Sequence, residues 1–184
     1  MKTIKLIALL FISSLTITSC SDDHDDDHNH GSEEELITTV TYTLTNGNEV
    51  VTMVFTDLDG EGGNDGIYTP NIGTLKANTT YTGVIKLENA TESPAEDITV
   101  EVKTEGDEHE FFYATSVAGA TITKTDKDSK GNPLGIETTV TTGAAGTGNL
   151  TVILKHEPTK PNNGTSAGAG GSTDLEVSFT IAVQ

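Results

Sequence analysis

The 184-residue chain carries 28 acidic side chains against ten basic ones, all lysine, for a formal net charge of −18. A field this negative repels nucleic acid and anionic lipid headgroups, which removes both as ligands, and it favours cations and cationic partners. The single cysteine, Cys20, excludes an internal disulfide, and the absence of tryptophan with few other aromatics predicts a mainly aliphatic core.

The chain opens with Lys2 and Lys5 ahead of an apolar run from Leu6 to Ile12. That run is well short of the ~20 residues a helical bilayer crossing needs, so it reads as the core of a signal peptide. Ile17-Thr18-Ser19-Cys20 follows, small residues ahead of a cysteine, and resembles the lipobox of bacterial lipoproteins. The resemblance implies cleavage before Cys20, a thioether-linked diacylglycerol on its sulfur and an acyl group on its amine. Several acyl chains at ~0.8 kcal/mol per buried CH₂ anchor a protein stably to a membrane where one chain is marginal. Cleavage of residues 1–19 removes Lys2 and Lys5 and no acid, which takes the net charge from −18 to −20. Ser21-Asp22-Asp23 resembles the surface-export signal of Bacteroidota lipoproteins, and implies the outer face of the outer membrane.

Residues 21–35 contain no apolar side chain. Like charges repel and nothing can be buried, so residues 20–35 are expected to form a lipidated, disordered tether, spanning at most roughly 50 Å. His24, His28 and His30 are interleaved with five aspartates. This pattern is a candidate patch for zinc or copper, since imidazole suits both ions and carboxylates raise the local cation concentration. The simpler reading is a solvated spacer.

From residue 36 to residue 184 the pattern has a period of two. Leu36, Val40, Tyr42 and Leu44 alternate with threonines up to the hairpin signal Asn46-Gly47, and the return strand covers 49–56. Further strands are expected at 80–88, 98–103, 110–115, 120–125, 134–142, 149–155 and 173–183, the last with Leu175, Val177, Phe179, Ile181 and Val183 in strict alternation. No stretch shows sustained helical spacing. Short threonine-rich strands between Gly, Asn, Asp and Pro turns predict an all-β fold, a single antiparallel sandwich of about eight or nine strands with Ig-like architecture. The connections 57–73 and 156–172 exceed an ordinary hairpin loop.

Asp57-Leu58-Asp59-Gly60-Glu61-Gly62-Gly63-Asn64-Asp65 is the most specific local signal. It places Asp57, Asp59, Glu61 and Asp65 at positions 1, 3, 5 and 9 of an EF-hand-type calcium loop, with glycine at position 6 and the Gly63 carbonyl at position 7. Tyr68 stands where a bidentate glutamate belongs, and the flanks read as strand. A loop that binds nothing is the competing reading. Asp126-Lys127-Asp128-Ser129-Lys130-Gly131 imitates the pattern, but Lys130 occupies a ligand position and a tight turn explains it better. His109 and His156 sit beside carboxylates at strand ends, where a shared metal site is conceivable only if the fold brings them together. Gly164-Thr165-Ser166-Ala167-Gly168 matches a nucleophile elbow in letters but lacks the required strand and helix around it. Nothing else supports catalysis, so the chain is expected not to be an enzyme.

Several segments together resemble a family of small Bacteroidota surface lipoproteins. They are the His/Asp tail after Cys20, Glu34-Glu35-Leu36-Ile37-Thr38-Thr39, Phe55 to Gly63, Thr141-Thr142-Gly143-Ala144-Ala145-Gly146-Thr147 and Lys155-His156-Glu157-Pro158. Members tend to accompany TonB-dependent outer-membrane receptors. The resemblance therefore implies an outer-membrane binding or accessory module for TonB-dependent uptake, with divalent-metal capture as one form of it. The alternative is a calcium-stabilised adhesion or matrix module in which the tail is only a spacer.

Overall fold

A computed structural model describes residues 35–58 and 66–184. Within the compact unit from Glu34 to Gln184 two sheets face each other, and the expected all-β sandwich is what forms. The six-stranded sheet contains β1 (Thr39–Asn46), β2 (Glu49–Thr56), β3 (Ile67–Thr69), β5 (Thr80–Glu88), β7 (Thr121–Lys124) and β8 (Glu137–Thr141), in the order β3-β2-β1-β5-β8-β7. The four-stranded sheet contains β4 (Gly73–Leu75), β6 (His109–Thr115), β9 (Gly146–His156) and β10 (Ser172–Val183), in the order β4-β10-β9-β6. Among the described residues, only β4 and β10 pair in parallel. The chain leaves the first sheet after β3 for β4, returns for β5, crosses to β6, returns for β7 and β8, and crosses again to β9 and β10.

Alternation explains most of this. Val40, Tyr42 and Leu44 of β1 are fully buried, as are Leu150, Val152 and Leu154 of β9, while the residues between them lie outward. The core is mainly aliphatic, as composition predicts, with a few large aromatics set in it. Tyr42, Tyr81, Phe111 and Phe179 are among its largest fully buried side chains, so the few aromatics are concentrated inside. Burial pushes the Tyr42 phenol far above its usual pKa, and its hydroxyl shares a 2.7 Å hydrogen bond with Thr138 Oγ1. Gly83 makes room for that bond, since a Cβ there would lie 2.4 Å from Thr138 Oγ1 and 2.7 Å from the Tyr42 hydroxyl. Thr138→Val should strand the buried phenol and cost about 1–3 kcal/mol in urea unfolding. Adding Tyr42→Phe should restore most of the loss, and a double variant no better than the single one would contradict this account.

One expected strand is a helix. Residues 98–103 fall in α1 (Ile98–Thr104), capped by Asp97, whose side chain accepts from the Thr99 amide. Ile98 and Val102, four apart, are the buried pair, while Val100 is 63% exposed, which a strand facing the core at 98, 100 and 102 would not allow. Docking also favours the helix. Beyond Val84 no β8 residue pairs with β5, and Thr99 Oγ1 accepts from the Leu87 amide at 2.8 Å and donates to the Leu87 carbonyl at 3.2 Å, satisfying backbone that the sheet leaves open. Two short strands, β3 and β4, lie in or beside the long 57–73 connection. The 156–172 connection holds a single helical turn, α2 (Ser166–Ala169).

Candidate metal centre

β6 and β9 are neighbours, and their register sets His109 directly opposite His156. Both rings turn inward. Their centroids are 4.8 Å apart and their planes 11° from parallel, so two residues 47 apart in sequence stack at one end of the four-stranded sheet. The fold thus brings together the two histidines that the sequence left separate.

A carboxylate joins them through an irregularity in β10. Thr173 pairs with Lys155 and Leu175 with Leu154, which leaves Asp174 as the extra residue of a β-bulge. Counted back from Leu175, Val177 and Phe179, residue 174 belongs on the solvent face. The bulge turns it in instead, and its side chain is fully buried, with Oδ2 4.0 Å from His109 Nε2. The donor atoms of His109, His156 and Asp174 all lie within 4.8 Å of one another, and so do those of Glu35, Glu105 and His109. Glu105 caps the C-terminal end of α1. Glu35 comes from the segment leading into β1 and places Oε1 3.3 Å from His109 Nε2.

The electrostatics of His109 are decided by these neighbours. Its Nδ1 is 3.2 Å from the Glu105 carbonyl oxygen, and a ring that donates there presents Nε2 to the carboxylates. Nε2 is buried and makes no hydrogen bond of adequate geometry, and neither does Glu35 Oε2. A neutral ring would then aim a lone pair at anionic oxygens. Such an arrangement is relieved by a cation on the shared side, either a proton on Nε2 or a metal ion. Burial works against charge on His109, but Glu35, the Glu105 carbonyl and Asp174 outweigh it and raise its pKa above the usual value. Contact with His109 in turn holds the Glu35 carboxyl below its ordinary range despite burial. Burial, with Glu35, Glu105 and Glu96 nearby, raises the Glu101 carboxyl. The corner is one that attracts positive charge.

Two imidazoles with carboxylates form a donor set suited to Zn²⁺ or Cu²⁺. Donors around such an ion, with bonds of about 2.1 Å, stand roughly 3.4–4.2 Å apart, so modest side-chain adjustment would gather three or four of these groups on it. The backbone around them is held firmly. The Glu157 amide donates to the Glu108 carbonyl at 2.6 Å. Gly171, at φ +70°, lies so close that a Cβ would meet the His156 carbonyl at 2.2 Å. The buried Lys160 Nζ donates to the carbonyls of Gly106 (2.6 Å) and His109 and to Asp128 Oδ2 (3.1 Å).

The other expected sites fare differently. Cys20, His24, His28 and His30, and Asp59, Glu61, Gly63 and Asp65 of the calcium pattern, lie outside the described residues. Asp57 is buried, and its amide donates to the Thr38 carbonyl at 2.8 Å. Tyr68, at the twelfth position of that pattern, packs against Phe55 and edge-on to Phe179, with centroids at 4.9 and 5.7 Å. It is partly buried and packs against the core. The 126–131 segment is a turn: Asp126 accepts from the amides of Gly135 and Ile136, and Asp128 accepts from those of Lys130 and Asn132. Glu35, Glu105 and Asp174 were not singled out in the sequence. Glu35 closes a run of glutamates assigned to the tether, yet it belongs to the compact unit.

No protein-family model, curated protein or solved structure matches the chain.

Proposed function

We propose that this protein is a lipid-anchored binding module of the outer-membrane surface that holds a divalent transition-metal ion, of the Zn²⁺ or Cu²⁺ class, as an accessory to TonB-dependent uptake. The observation that carries the metal reading is the cross-strand pair His109–His156 with the bulged, buried Asp174 beside it. A bulge that turns an acid inward toward two stacked imidazoles adds charge to the interior, which a hydrophobic core does not require and a bound cation would offset. The anchor and address rest on the lipobox-like segment ending at Cys20 and the acids after it, and the uptake role on the family resemblance. Binding, not catalysis, fits a centre in which the His109 and Asp174 side chains have no exposure.

Metal analysis tests the reading and separates the centre from the tail. The full chain, exposed to Zn²⁺ and then dialysed, should retain about one equivalent, the stoichiometry of a closed protein site. A variant with His24, His28 and His30 changed to alanine should retain it too, and His109→Ala with His156→Ala should lose it. Retention in the latter with loss in the former would move the metal to the tail and overturn the proposal.

A further inference from the structure

The five donors of the centre are not held alike. His109 and His156 lie in paired strands, Asp174 is fixed between paired residues of β10, and Glu105 ends α1 while its carbonyl also accepts from the Glu108 amide. Glu35, by contrast, stands outside any helix or strand and caps none, and the next residue, Leu36, is 42% exposed. The segment is first tied to a sheet at Thr38, whose amide donates to the Glu88 carbonyl at 3.0 Å and whose carbonyl accepts from Asp57. The donors around His109 Nε2 are closed off from solvent: the His109 and Asp174 side chains have no exposure, and Glu35 has 8%. Movement of Glu35 opens this side of the ring, and Glu35 is the donor whose backbone moves without breaking a strand pair or a helix end.

Building on the metal reading, we propose that Glu35 is the exchangeable ligand of the centre, so that a bound ion clamps the lead-in of β1 across the His109 end of the four-stranded sheet, and release of the lead-in opens the site. In a chain with no disulfide, the ion would perform the cross-linking of distant segments. The clamp connects occupancy to the point at which the folded domain meets its N-terminal extension, which makes the presence of metal readable there.

The test uses the full chain and Zn²⁺ alone, comparing wild type with Glu35→Gln, which keeps size and one acceptor oxygen. Zinc affinity and dissociation rate are measured by competition with a chromophoric chelator, and amide hydrogen exchange is followed over residues 36–38 with and without zinc. Loss of a supporting partner alone lowers metal affinity about 10–100-fold, and loss of a ligand should do no less. The variant should accordingly bind at least about tenfold more weakly and release the ion faster. Zinc should slow exchange at 36–38 in wild type and leave it unchanged in the variant. Equal affinity and equal release in the two proteins, or equal zinc protection of 36–38, overturns the clamp while leaving the metal centre standing. A wild type that binds no zinc overturns both.

Discussion

Lys160→Met is expected to destabilise the domain by about 3–5 kcal/mol at neutral pH, the size of effect seen when one partner of a buried ion pair is removed. The Lys160 side chain is 4% exposed and its Asp128 partner has no exposure. Methionine matches the length of the stem but offers no donor, so the Gly106 and His109 carbonyls and the Asp128 carboxylate each lose a charged partner. Asp128 also gives the effect a pH signature. Burial disfavours its charge, but the Asn132 amide and Lys160 outweigh this and hold its carboxyl below the usual value. A depressed folded-state pKa contributes stability that is present above the unfolded value of about 3.9 and is lost as pH falls through the folded one. The gap between wild type and variant should thus be widest near neutrality and narrow below about pH 4. Urea unfolding at pH 7 and pH 3 measures both; a neutral-pH difference under about 1 kcal/mol would place this contact among ordinary surface pairs.

Zinc should raise the thermal stability of the full chain clearly above that in EDTA. If the ion binds only the folded state, the gain is RT ln(1 + [L]/Kd), about 2.7 kcal/mol at a hundredfold excess over Kd. For a domain of this size that is roughly 5–10 °C. His109→Ala with His156→Ala should abolish the shift. Calcium and magnesium should not reproduce it, because both prefer oxygen donors and two of the central groups here are imidazoles. A shift produced by calcium alone, and removed by Asp57→Ala with Asp59→Ala, would instead favour the calcium loop and the adhesion reading. Melting that zinc leaves unchanged would remove the metal centre.

The strands with strict alternation were legible because each has one buried face. β2 and β5 begin and end at their expected residues, and β1, β9 and β10 differ only at their ends. Residues 98–103 failed because Ile98, Val100 and Val102 satisfy a strand period while Ile98 and Val102 also satisfy a helical one; the exposure of Val100, which the sequence does not show, separates the two. β3 and β4 are three residues each, too short to show a period. The centre was half legible. His109 and His156 could be named, but their adjacency depends on β6 and β9 pairing across two intervening strands of the other sheet, which no local pattern encodes. Asp174 was hidden by the bulge, since alternation extended from Leu175 assigns it to the wrong face.

The position of β1 has a mechanical consequence. It lies inside the six-stranded sheet, paired with β2 along Thr39–Asn46 and with β5 along Thr39–Thr45. A pull applied ahead of Thr39 along the strand is opposed by both ladders together, in shear, where many hydrogen bonds must yield at once instead of opening singly as at a peeled edge. A protein moored through its N-terminus would thus take drag where the fold resists it best, and the first segment to give would be residues 35–37, ahead of the sheet itself.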